Sequence, residues 1–225
     1  MLIDSVSRSL SQLVSAPFRA VLWKSIGLTI ALLVSLWFAM EALVSTFLMP
    51  FLGPWPWVAT AVSWVFGAGL VVGMGFLIAP VTSIFAGVFL DDVALEVEQT
   101  HYPQDPVGKA LPISTSIAIA VKFFGLVVLG NFLALILVLF LGLGFIVFFV
   151  VNGYLLGREY FQFAALRHMS VEQADRLREA NTGTIFLAGL IIAGLLSIPF
   201  VNLLTPLFAG ALMVHVYKYL AAKDA

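Results

Sequence analysis

The run IGLTIALLVSLWFAMEALVSTFLM, from Ile26 to Met49, decides the fold. At 1.5 Å per residue a helix over this run is about 36 Å long, enough to cross a hydrocarbon core of about 30 Å. A single charge, Glu41, interrupts it. An acid there faces a bundle interior or a wet cavity, as intramembrane carboxylates generally do, or else lies near the far interface. The run closes in Pro50-Phe51-Leu52-Gly53-Pro54-Trp55-Pro56-Trp57, where prolines stop a helix and indole rings favour the headgroup level. A second apolar run, Val58 to Leu90, is longer than a bilayer requires, so it is expected to span and then project into water, with a bend at Pro80. The acidic, amphipathic Asp91-Asp92-Val93-Ala94-Leu95-Glu96-Val97-Glu98 continues it, and His101-Tyr102-Pro103-Gln104-Asp105-Pro106 ends it.

Composition agrees with a chain that needs lipid around it. Of 225 residues 62% are hydrophobic and 10% charged, against about one quarter charged in soluble domains. Eleven basic and 12 acidic side chains leave a net charge of -1, so no basic excess points to nucleic acid as a partner. There is no cysteine, and the three histidines, His101, His168 and His215, are scattered. That excludes disulfide scaffolds, thiolate metal sites and cysteine nucleophiles, and no cofactor is expected. The first 24 residues lack the layout of a cleaved signal peptide. Ile3, Val6, Leu10 and Leu13 recur at helical spacing among Asp4, Ser7, Arg8, Ser11 and Gln12, the pattern of an amphipathic helix lying in the membrane interface.

The rest of the chain reads as hairpins that enter the membrane without crossing it. Phe123 to Gly157 is uncharged, too short for two crossings with a turn and too long for one, with Gly130-Asn131 as its expected tip. Ser170 and Gln173 have capping-box spacing and Asn181 to Gly183 read as a helix stop, so a short soluble helix follows. Thr184 to Val216 is interrupted by Pro199, Asn202 and Pro206, leaving two arms shorter than a spanning helix. Non-helical backbone at depth is tolerated only inside protein or beside a wet cavity, which argues for assembly or a pore. Apart from Glu41, all charges lie in the N-terminal segment, between Asp91 and Lys122, between Arg158 and Glu179, or after His215. If the apolar stretches are hairpins, every lysine and arginine shares one face, which the positive-inside tendency assigns to the cytoplasm. The expected architecture is an all-α integral membrane protein: two long transmembrane helices plus two partly penetrating helical hairpins and an N-terminal amphipathic helix. It forms one domain over 1–225, divided into an amphipathic segment (1–24), a long transmembrane hairpin with a projecting end (25–110), a first partial hairpin with the soluble helix (111–182), and a second partial hairpin with the tail (183–225).

Few constellations carry chemistry. Gly67-Ala68-Gly69, Gly69/Gly73 and Gly153/Gly157 set small residues on helix faces where backbones approach closely. No strand precedes these glycines and no lysine follows in P-loop spacing, so ATP coupling within the chain is not expected. No metal-ligand spacing and no Gly-x-Ser-x-Gly elbow are found, and an enzyme is not expected. The informative stretch is Ser15-Ala16-Pro17-Phe18-Arg19 at the start of the first span. Pro17 suits a first helical turn, whose free N–H groups attract anions, and Arg19 adds a fork of donors for a tetrahedral oxyanion such as sulfate. In the competing reading Arg19 and Lys24 snorkel to lipid phosphates around Trp23. Arg158, Glu159 and Arg167 bracket Tyr160 and Phe161 where the first partial hairpin leaves the membrane, lining a vestibule or forming an interfacial belt.

The order of these features resembles the EI24/CysZ family over essentially the whole chain. The segments that carry the resemblance are Ala16-Pro17-Phe18-Arg19, Ala79-Pro80 with Phe85-Ala86-Gly87, Tyr154-Leu155-Leu156-Gly157-Arg158-Glu159-Tyr160-Phe161 with Arg167, and Pro199-Phe200-Val201-Asn202-Leu203-Leu204-Thr205-Pro206. The resemblance implies a homo-oligomeric, multi-pass protein of the bacterial inner membrane that takes up sulfate for cysteine biosynthesis, channel-like or ion-coupled. Permeases of this kind carry a Gly-Leu-Arg-Arg-like element before the first span, where sulfate is held. Pro17-Phe18-Arg19-Ala20 keeps one arginine of it. The alternative within the family is a membrane scaffold or envelope-homeostasis protein without transport activity.

Overall fold

The computed structural model describes residues 1–110, 112, 144–198 and 200–224. Every regular element among them is helical, as expected of an all-α membrane protein. Among the described residues three helices are long and apolar enough to cross a membrane, Ala16–Leu52, Pro56–Gly75 and Val201–Asp224. The tip expected at Gly130-Asn131 and most of the first partial hairpin lie outside the described residues, as does Pro199. The chain divides into two compact units, Leu22–Ala86 and Met1–Val21 with Gly87–Ala225.

The first unit holds most of α2 (Ala16–Leu43) and α3 (Pro56–Val88). Pro50 does not stop the first of these where expected. A π-helical turn, Val44–Leu48, absorbs it, with the Met49 N–H bonded to the Val44 carbonyl, and a helical turn, Met49–Leu52, follows. Proline in a helix clashes with the carbonyl four residues back, and a shift to the wider i→i+5 pattern relieves that clash. The chain breaks instead before Pro56, at which α3 begins. Helix α3 then runs unbroken through Pro80, and its end comes at Val88, with Phe89 between it and α4 (Leu90–His101). Within this unit the Thr82 hydroxyl donates to the Thr29 hydroxyl (3.0 Å), which donates to the Ser25 carbonyl (2.8 Å). All three residues are fully buried. Each spare proton is thus satisfied in surroundings that hold no water to do it. Elsewhere the unit is open. Only 11% of the most apolar window of Ala16–Leu52 and none of that in Pro56–Gly75 is buried, leaving Trp23, Phe38, Trp57 and Trp64 exposed. Such continuous apolar surface is stable against lipid or other protein, not water.

The second unit is built around α8 (Thr205–Asp224), nearly all of whose side chains from Thr205 to Leu220 are buried. Helices α1 (Leu2–Leu13), α4, α5 (Gly144–Leu166) and α7 (Thr182–Leu196) pack on it. Pro206 occupies the second position of α8, where a helix has no intrahelical use for its N–H. The sequence reading ended this arm at Val216 because charge returns at Lys218. The helix continues because Lys218 is neutralised by Asp105 at 3.1 Å and lies over the Tyr102 ring. Helix α7 is 15 residues long, about 22 Å, and is shorter than a full crossing. The chain turns from α7 to α8 through Phe200, a non-glycine residue at φ 64°, and a 3-10 turn at Val201–Leu204.

Helices α5 and α7 approach closely. A Cβ on Gly157 would stand 2.6 Å from the Ile185 carbonyl oxygen, and one on Gly153 2.7 Å from a Leu190 methyl. Gly189 faces both glycines, and a Cβ there would overlap the Gly153 carbonyl. The expected packing role of Gly153 and Gly157 is thus met by a third glycine. A Cβ on Gly67, Gly69 or Gly73, by contrast, would meet nothing within 4 Å beyond its own stretch of helix among the described residues.

Helix α1 is turned against the usual sense. Its polar side, Ser5, Ser9 and Gln12, is buried, and Ile3, Leu10 and Val14 are exposed. Two of the buried polar groups have partners: Ser9 donates to the Ser5 carbonyl (2.8 Å), and Gln12 Oε1 meets His215 of α8 at 3.4 Å, while Gln12 Nε2 has none among the described residues. The outward apolar stripe is what a helix lying in the membrane interface requires. Helix α6 (Val171–Ala180) starts with a reciprocal capping box. The Gln173 N–H donates to the Ser170 hydroxyl (3.4 Å) and the Ser170 N–H to the Gln173 side chain (3.0 Å). It stops at Asn181, and α7 leaves at 88° to it.

Candidate functional site

Pro17, Phe18 and Arg19 fall in the first turn of α2. The Arg19 N–H makes the helix's opening bond, to the Ser15 carbonyl at 3.0 Å, so the Ala16 and Phe18 amides precede the helical ladder. The three side chains part company here. Phe18 is 1% exposed and anchors the turn in the core, whereas Pro17 and Arg19 are exposed. Arg19 makes no ion pair with any described residue. The buried Ser15 hydroxyl oxygen, just before the helix, has no hydrogen-bond partner among them.

Arg167 lies just beyond α5 and is buried. Its guanidinium pairs with Asp91 and with both oxygens of Glu98 (3.4 Å each), and reaches the Gly108 carbonyl at 3.4 Å. Glu98 also meets His168 Nε2 at 2.9 Å and accepts from the Gly108 N–H at 2.9 Å. The Lys109 N–H donates to the Arg167 carbonyl (2.8 Å). A side chain on Gly108 would meet His168 Nε2 at 2.8 Å and Arg167 Cβ at 2.9 Å. The loop after α4 is thereby closed onto the end of α5. Beside it His168 stacks on Tyr217 of α8, ring centres 5.0 Å apart, and Tyr102 bonds His215 Nδ1 at 2.8 Å.

Burial would raise the Glu98 carboxyl, but hydrogen bonds from His168, Gly108 and Arg167 outweigh it and hold the group at about 2, below its usual 4.5. For Asp91 burial wins over Arg167, and the group is raised. Glu98, with its folded value depressed, contributes stability that is fully present above pH 4.5 and lost as pH falls toward about 2. Asp91 works in the opposite direction and takes part of this back. Melting temperature in detergent is expected to fall across that window, and Glu98→Gln to remove Glu98's share of the slope. A profile identical in wild type and Glu98→Gln would contradict it.

The remaining candidates are dispersed. Arg158 and Glu159 lie half-buried on α5, and Arg158 has no ion pair among the described residues. It shares a shallow pocket with Arg178 of α6, not with Arg167. Glu41 is exposed on α2. The partners of Arg167, Asp91 and Glu98, were missed in the sequence. A signal was there: Glu98 follows Ala94 by four residues, on the stripe that also holds Val93 and Val97, a carboxylate on the face of a helix meant for the core.

Apolar helices of spanning length, an amphipathic N-terminal helix with its polar side inward and a polar lock at one end define an all-α membrane protein. The chain belongs to the family described as Sulfate transporter CysZ/Etoposide-induced protein 2.4, whose profile matches residues 5–206. That description supports a role of the membrane-transporter type. No individual curated protein matches the chain.

Proposed function

We propose that the protein is a sulfate permease of the bacterial inner membrane, supplying sulfate for cysteine biosynthesis and working as a homo-oligomer, channel-like or ion-coupled. The observation that carries this reading is Arg19: an exposed guanidinium, without an ion pair among the described residues, on the first turn of a spanning helix. An anion there meets the positive end of the helix dipole, amides ahead of the ladder and a planar fork of donors. Pro17 fixes the turn and Phe18 holds it to the core, its share in the anion site being its backbone N–H. Arg158 and Glu159 stand as secondary positions along the path, and Glu41 as a lining group where copies of the chain meet. Arg167 serves this reading by locking the loop after α4.

Labelled sulfate uptake into liposomes holding only the purified protein tests the proposal. Saturable entry supports it. Absence of flux from folded, assembled protein would favour the scaffold or envelope-homeostasis role.

A further inference from the structure

Where α6 turns into α7 a notch opens against α5, lined by Tyr154, Arg158, Arg178, Thr182, Ile185 and Phe186. Two guanidiniums and no carboxylate line it. Arg158 has no ion pair among the described residues, as noted above. Arg178 gives Nη2 to Asp175 at 3.0 Å, with Glu179 at 3.8 Å, but its Nε is buried and has no hydrogen-bond partner. The Thr182 hydroxyl proton is already used on the carbonyls of Arg178 and Glu179 (3.3 and 3.0 Å). The donors left to a ligand are therefore the Arg158 fork, the Arg178 N–H groups not given to Asp175, and the half-exposed Tyr154 hydroxyl. The opposite wall, Ile185 and Phe186, is apolar.

The notch has a definite depth. On α5 the uncharged run ends at Gly157 and charge begins at Arg158; on the other wall charge ends at Glu179 and the apolar run begins at Thr184. Both walls change from apolar to polar side by side, as they do at the headgroup layer, where arginine and tyrosine favour lipid phosphate. We propose that this notch binds the phosphate of an anionic phospholipid, with Arg158, Arg178 and Tyr154 donating to its oxygens and Ile185 and Phe186 against the glycerol and first methylenes. The chemistry is that of a tetrahedral oxyanion met by planar donors, and the apolar wall selects an oxyanion that carries chains over one free in water. The inference takes Arg158 for the lipid phosphate and leaves Arg19 to the sulfate reading, and its test reads lipid retention rather than sulfate flux, so the two fail separately.

Native mass spectrometry of the purified protein with added phosphatidylglycerol or phosphatidylcholine tests it. Wild type is expected to retain phosphatidylglycerol in preference to phosphatidylcholine. Losing charge-assisted bonds should weaken retention about tenfold or more in Arg158→Gln/Arg178→Gln. Arg176→Gln, an exposed residue of the same helix outside the notch, should behave as wild type. If circular dichroism shows the double variant unfolded, Arg158→Gln alone is compared in its place. Equal retention of both lipids, unchanged retention in the notch variants, or displacement of phosphatidylglycerol by millimolar inorganic phosphate would each overturn the assignment, the last by making the occupant a free ion.

Discussion

Arg167→Ala is expected to destabilise the protein by about 3 to 5 kcal/mol, the usual consequence of leaving a buried charge without its partner. The side chains of Arg167 and Glu98 are each 2% exposed, so water cannot replace the guanidinium, and Glu98 keeps only His168 and the Gly108 N–H. Asp91, already raised by burial, loses the one cation that opposes that shift. Arg167→Lys keeps the charge but not the fork, and a single ammonium cannot span Asp91 and both oxygens of Glu98. It should fall between wild type and alanine. The pairing itself is isolated by a cycle: because Glu98→Gln also breaks it, Glu98→Gln/Arg167→Ala should cost less than the sum of its singles. Thermal melting in detergent, followed by circular dichroism, gives the three differences. Additive losses would mean that Arg167 stabilises the fold by something other than this cluster.

Arg19→Ala should leave the fold intact and weaken sulfate binding about tenfold or more, since hydrogen bonds to charged groups are worth roughly 1.5 to 3 kcal/mol and 1.4 kcal/mol is a factor of ten. The side chain is exposed and pairs with no described carboxylate, so its removal leaves no buried group unsatisfied. Arg19→Lys restores the charge without the planar fork, and affinity should return in part. If the guanidinium only anchors α2 to lipid phosphate, lysine should replace it fully and alanine should bind sulfate as wild type does. Sulfate titrations of the three proteins in detergent separate these cases. Phe18→Ala is the useful contrast: it empties a core position 1% exposed and should lower stability before it alters anion selectivity.

What was legible in the sequence, and what was not, divides by the range of the interaction. The spanning run from Ile26, the amphipathic register of α1 and the Ser170–Gln173 cap are local patterns, and each is met in the structure. The close packing of Gly153 and Gly157 was legible as a tendency, but not its partner Gly189, which lies on another helix. The π-helical turn before Pro50 escaped because a proline can be absorbed by widening the ladder as well as by ending it. The length of α8 escaped for an electrostatic reason: Lys218 reads as the edge of the apolar segment until Asp105 is known to face it. The same holds at the sites. Arg19 was found from its position beside Pro17, whereas Arg167 was grouped with Arg158 by proximity in the chain. In the structure Arg167 turns to Glu98 and Asp91, and Arg158 is brought beside Arg178 by the 88° turn between α6 and α7.

The transport reading stands or falls on the initial rate of labelled sulfate entry into liposomes containing wild type or Arg19→Ala, measured at sulfate concentrations well below saturation. The account predicts entry that saturates in wild type and a rate about tenfold or more lower in Arg19→Ala, regained in part by Arg19→Lys. Equal rates in all three proteins would contradict the role of Arg19, and no entry above protein-free liposomes in assembled wild type would contradict sulfate transport itself.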